Sequence, residues 1–150
     1  MASEGRHNYS VKTRIVNFLF HWLPVVIWAA VIFKISSGRV PLASPVYWQD
    51  FAVKKFAHVT FFGFLAILIY RGLRGEGMER KKAAIWAIVA TAFYGATDEF
   101  HQLFTQGREA RVRDVGFDTI GATLAIYITY QILPKLPDNL RKIFERMELI

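Results

Sequence analysis

Four stretches of this chain, residues 15–33, 56–70, 83–97 and 115–133, carry one charged side chain between them, Asp118. That pattern restricts the fold more than any other feature. A helix facing water shows an apolar stripe and a polar face, whereas Ala-Ile-Trp-Ala-Ile-Val-Ala-Thr-Ala-Phe-Tyr, residues 84–94, is apolar all round. Hydrophobic residues make up 53% of the 150, above the usual 45–50% or so of soluble domains. The fold class expected is all-α: an integral membrane four-helix bundle with four transmembrane helices and a short amphipathic C-terminal helix. A soluble bundle with buried core helices is the alternative, and it would leave too little polar surface to cover the runs.

Runs one and four approach the roughly 20 residues that cross about 30 Å of hydrocarbon, while the middle two are nearer 15. They lengthen enough if helix two begins near Lys54 and helix three continues through Asp98 and Glu99 to Phe104. The division expected is residues 1–14 as a cytoplasmic N-terminal segment, 15–133 as the membrane domain and 134–150 as an amphipathic cytoplasmic tail. Run one is longer than a cleavable signal's apolar core and lacks a clear small-x-small site after it, so it reads as a retained anchor. Cysteine is absent, which excludes disulfides and zinc–thiolate sites.

Basic residues set the expected orientation. The amino terminus, second connection and tail hold twelve Lys and Arg, against seven in the first and third connections. The positive-inside rule then puts both termini of a multi-pass membrane protein in the cytoplasm. The net charge of +7 is better matched by anionic lipid than by nucleic acid, because the basic residues gather beside the apolar runs.

With that topology, Lys54, Lys55 and His58 at the start of helix two, Asp98 to Gln102 at the end of helix three, and Asp114 and Asp118 at the start of helix four share the extracytoplasmic face. Residues three and four apart lie on one side of a helix. Lys55, His58 and Phe62 form one stripe, Tyr94, Asp98, His101 and Gln102 a second with Glu99 beside it, and Asp114, Asp118, Gly121 and Ala125 a third. Gly121, Ala122 and Ala125 allow close helix approach. Thr105-Gln-Gly-Arg reads as a tight turn, with Gly107 supplying the permissive backbone and Arg108 brought over the site. The ligand-binding residues expected are Lys55, His58, Tyr94, Asp98, Glu99, Gln102, Arg108, Asp114 and Asp118.

Lys55-x-x-His58 with Phe62 and Leu65, Tyr94-x-x-x-Asp98-Glu99-Phe100-His101-Gln102-Leu103-Phe104-x-x-Gly107-Arg108, and Asp114-Val115-x-x-Asp118-Thr119-x-Gly121-Ala122 together resemble the VanZ-like family of small integral membrane proteins. Gln106 stands where family members often have proline, and Asp118 where many have asparagine. The resemblance implies a helical protein of the bacterial envelope, and hence of a bacterial cytoplasmic membrane, in a family named after a member associated with resistance to the glycopeptide teicoplanin. It implies no reaction.

The residues support several chemistries. Lys55 and Arg108 suit the phosphate or carboxylate of an anionic lipid or lipid-linked cell-wall precursor, with the acids orienting them. Four carboxylates outnumber those two cations, which motivates a second reading, an enzyme. Its catalytic candidates are Asp98, Glu99, Asp114 and His58, acting on a lipid-linked substrate. No metal is assigned and no cofactor is named, although Asp98, His101, Asp114 and Asp118 are the residues nearest to a divalent site. A small transporter or lipid-moving protein is a third reading. The bland reading pairs Lys55 with Glu99, or Arg108 with Asp114, as structural ion pairs. His21 reads as a packed or interfacial histidine lacking a polar neighbour at helical spacing, Tyr47 and Trp48 as headgroup-layer anchors, Arg111 and Arg113 as contacts to water or lipid phosphate, and residues 36–45 as a loop placed to act as a lid.

Overall fold

The computed structural model describes residues 2–38, 44–106, 108 and 111–150, with side chains from residue 13 onward. Gly107 of the expected turn, residues 39–43 of the expected lid, and the side chains of Arg6 and Lys12 lie outside that set. Among the described residues there are five α-helices and no strand: α1 (Ala2–Ser36), α2 (Tyr47–Gly75), α3 (Arg80–Gln102), α4 (Val112–Tyr127) and α5 (Asp138–Arg146). A π-helical turn, Ile128–Ile132, and a 3₁₀ turn, Leu133–Lys135, follow α4.

α2 is the central element. It packs most extensively on α4 and then on α3, while α1 lies against α2 and barely touches α3. The core is built from Phe62, Leu65, Ala66, Ile69 and Tyr70 of α2, alanines 83, 84 and 87 of α3, and Ala122 and Ile126 of α4. Small residues set the closest approach. A Cβ on Gly121 would fall on the Val59 carbonyl oxygen of α2, and one on Gly63 would lie 3.0 Å from the Gly121 carbonyl oxygen. No side chain can separate the two backbones there, so α2 and α4 meet along a Gly/Ala seam as close-packed membrane helices do.

Several boundaries differ from those expected. α1 begins at Ala2 rather than near Ile15, since no proline precedes Pro24 to stop it, and it runs through Pro24 itself. α2 begins at Tyr47 rather than near Lys54. Asp50 occupies its first turn, where a negative charge complements the helix N-terminus, and Lys54 Nζ reaches Asp50 Oδ2 at 2.7 Å. α4 is regular only to Tyr127. In the π turn beyond it, Arg80 at the start of α3 donates to the Tyr130 carbonyl at 2.9 Å, with its guanidinium 4.8 Å from the Tyr130 ring centroid.

Two helical segments, Thr13–Ser36 and Tyr47–Gly75, are long and apolar enough to cross a membrane. α3 carries basic residues at one end and Asp98 and Glu99 at the other. The 16 regular residues of α4 extend only about 24 Å, so these two helices do not meet the same standard.

The tail returns to the bundle. Leu149 is buried in the core cluster and Phe144 packs against it, while Leu140 and Ile143 of α5 and Met147 just beyond it stay exposed. Glu148, in the left-handed region at φ 59°, places Oε2 2.5 Å from His21 Nε2. His21 is packed, at 8% exposure, and its polar side-chain partner lies 127 residues away, where local spacing leaves no trace of it.

Candidate functional site

One end of the bundle gathers the end of α1, the starts of α2 and α4 and the end of α3. The links are specific. Ser36 Oγ donates to Asp98 Oδ1 at 2.6 Å, Lys55 Nζ to Asp114 Oδ1 at 2.5 Å, and His58 Nδ1 lies 2.8 Å from Asp118 Oδ1. Each bond joins two helices at the depth where helical spacing had placed the polar stripes.

Burial here is severe. Asp98 is 4% exposed, Glu99 6%, Asp114 7% and Asp118 0%. Carboxylates are almost never that buried without partners, because desolvating the charge costs several kcal/mol or so. The partners are uneven. Asp114 has Lys55, with Arg113 Nε 3.8 Å from the same oxygen. Asp98 accepts from Ser36 and from Gln102 Nε2 at 2.9 Å. Glu99 accepts the Arg111 backbone N–H at 2.7 Å, with Gln102 Nε2 a distant 3.4 Å from its other oxygen. Asp118 has His58 on Oδ1, while its buried Oδ2 has no hydrogen-bond partner among the described residues. That oxygen lies where a Cβ on Gly95 would crowd it, so α3 approaches Asp118 closely because residue 95 is glycine.

A cavity of about 400 Å³ lies at this end. Lys54, Lys55, Arg108, Arg111 and Arg113 contribute five cations to its wall, and Asp50, Asp98 and Asp114 three acids. Ile32, Ile35, Phe51, Phe61 and Phe62 supply an apolar side. Tyr47 also lines it, whereas Trp48 is exposed away from it.

Arg108 sits where the turn was expected to deliver it, with its N–H donating to Thr105 O at 3.2 Å. Its guanidinium is committed differently from the expectation. Nε donates to Gly38 O at 2.8 Å and Nη2 to Ile35 O at 2.6 Å, so it caps carbonyls at the end of α1 rather than pairing with Asp114. Burial lowers its pKa, Asp98 and Glu99 act in the opposite direction, and the group stays cationic. Lys55 likewise pairs with Asp114, not Glu99.

The other anticipated residues fall into place around this cavity. His58, Gln102, Asp98 and Asp114 line it; Glu99 and Asp118 stand behind that wall. The Tyr94 hydroxyl donates to Ala29 O of α1 at 2.6 Å, so this side chain braces two helices and does not line the cavity. Of the four residues considered nearest to a metal site, only Asp114 joins the group whose ligand atoms converge. That group is His58, Glu99 and Asp114, one ligand atom from each lying within 4.8 Å of the others. His101 is turned toward Phe33, with ring centroids 4.3 Å apart. Ser36 was missed in the sequence. It lies in a Ser-Ser-Gly stretch that signals only a helix end.

Comparison with known proteins gives one family. The model described as VanZ/LLP1 matches residues 2–133. No curated protein and no solved structure matches the chain.

Proposed function

The chain belongs to the VanZ/LLP1 family, and on that premise we propose that it is a four-crossing protein of the bacterial cell envelope whose cavity holds an anionic headgroup. The headgroup belongs to a membrane lipid or a lipid-linked cell-wall precursor, the class of molecule through which glycopeptide resistance of the teicoplanin kind would operate. One observation carries this reading: five cationic side chains and an apolar side share a single cavity wall. An amphiphile needs both, oxyanion contacts for its head and hydrocarbon contact for its first methylenes. Arg108 donates two of its five N–H groups to carbonyls, and the other three, which have no acceptor among the described residues, suit an oxyanion.

Orientation follows from the basic residues. With twelve Lys and Arg on the other side, the cavity opens to the extracytoplasmic leaflet and both termini are cytoplasmic. The test is native mass spectrometry of protein purified in mild detergent. Wild type retains an anionic amphiphile, and Arg108→Gln with Arg113→Gln loses most of it while keeping its helical content. An unchanged lipid complement in that variant rejects the reading.

A second reading, transfer or hydrolysis on the same class of substrate, is favoured by His58 and Asp118 at 2.8 Å beside Glu99 and Asp114. Its measurement is turnover of a lipid-linked phosphate by wild type and Asp114→Asn; equal rates remove it.

A further inference from the structure

Three residues from three helices, His58, Glu99 and Asp114, converge beside the cavity, the first and last of them in its wall, and each is tied by a different neighbour. Lys55 takes Oδ1 of Asp114 and leaves Oδ2. The Arg111 N–H takes Oε2 of Glu99 at 2.7 Å, leaving Oε1, whose only hydrogen bond among the described residues, from Gln102, is long at 3.4 Å. Asp118 takes Nδ1 of His58. With a carboxylate opposite, Nδ1 carries the proton, and Nε2 keeps a lone pair. We propose that His58, Glu99 and Asp114 bind a divalent first-row metal ion through these remaining atoms, and that Asp118 is the positioning residue that aims the imidazole.

Geometry and charge argue for it independently. Ligand atoms on one such ion lie about 3 to 4.4 Å apart for bonds near 2.0–2.2 Å. One ligand atom from each of the three residues already lies within 4.8 Å of the other two, so a modest inward movement of the side chains would bring them to that range. A carboxylate holding the far nitrogen of a ligating histidine is the usual support of such sites. Asp118 offers that support while fully buried, and its Oδ2 has no donor among the described residues. The charge of a carboxylate at zero exposure is offset if the ring that its Oδ1 holds carries a cation. Across the cluster, four buried carboxylates face the ammonium of Lys55, and a dication offsets two of the remaining charges.

One imidazole and two carboxylates suit manganese or zinc. His58 and Asp114 also line the cavity, so open coordination positions face the space assigned above to a headgroup. Only this last consequence rests on the proposed function; the metal site does not.

The experiment uses full-length protein in detergent, stripped with chelator, without added lipid, titrated with Mn²⁺ alone and followed by loss of the free-ion paramagnetic resonance signal. Wild type takes up one Mn²⁺ per chain, displaced by Zn²⁺. Glu99→Gln weakens binding more than tenfold, and Asp118→Asn by roughly ten- to a hundredfold, with thermal midpoints in chelator unchanged. Failure of wild type to bind either ion at this stoichiometry overturns the site whatever the variants do. Equal binding by wild type and both variants overturns it as well. Headgroup retention is measured separately, so either result can fail alone.

Discussion

Lys55 and Asp114 form a buried pair whose side chains are 12% and 10% exposed. Lys55→Met leaves Asp114 without its ammonium, and unfolding in detergent should show a loss of about 3–5 kcal/mol. The double variant Lys55→Met/Asp114→Leu should recover a large part of that loss. A cycle with zero coupling would show that the pair does not act as a unit. A neutral contact gives a smaller effect. Ser36→Ala removes the hydroxyl that donates to buried Asp98 and should cost about 1–3 kcal/mol, whereas Ser37→Ala, exposed and bonded only to Phe33 O, should stay within about 0.5 kcal/mol.

Between elements, the Gly/Ala seam of α2 and α4 is the least tolerant contact. The methyl of Gly121→Ala would land on the Val59 backbone, which cannot rotate away, so the helices must part at a cost of about 1–3 kcal/mol. Gly116→Ala, on the same helix with nothing within 4 Å, should be neutral or stabilising. Thermal unfolding of the two variants side by side checks both outcomes. This seam was legible in the sequence, because Gly121, Ala122 and Ala125 repeat at helical spacing beside the polar stripe. So was the gathering of Lys55, His58, Asp98 and Asp114 at one end, since helix direction alternates along the chain. The pairings were not. Whether Lys55 meets Glu99 or Asp114 depends on how each helix is rotated and how deep it sits, and neither is encoded within a single run. For the same reason the partners of Ser36, Tyr94 and His21 gave no signal: Asp98, Ala29 and Glu148 lie 62, 65 and 127 residues away.

For the molecule as a whole, orientation decides which leaflet the cavity serves. Single cysteines at exposed Ser37 and Glu79 sit in the first and second connections, which α2 holds apart. An impermeant thiol reagent on intact cells should label Ser37→Cys and spare Glu79→Cys. Labelling of Glu79→Cys alone would turn the cavity toward the cytoplasm. Arg108 gives this cavity a mechanical property. Its guanidinium is riveted to the last carbonyls of α1, the most loosely seated of the four long helices. An oxyanion that grips the free side of that rigid plane grips the helix end with it. Filling the cavity would therefore stiffen a remote rod of 35 residues, and slowed amide exchange at the tip of α1 would register it first.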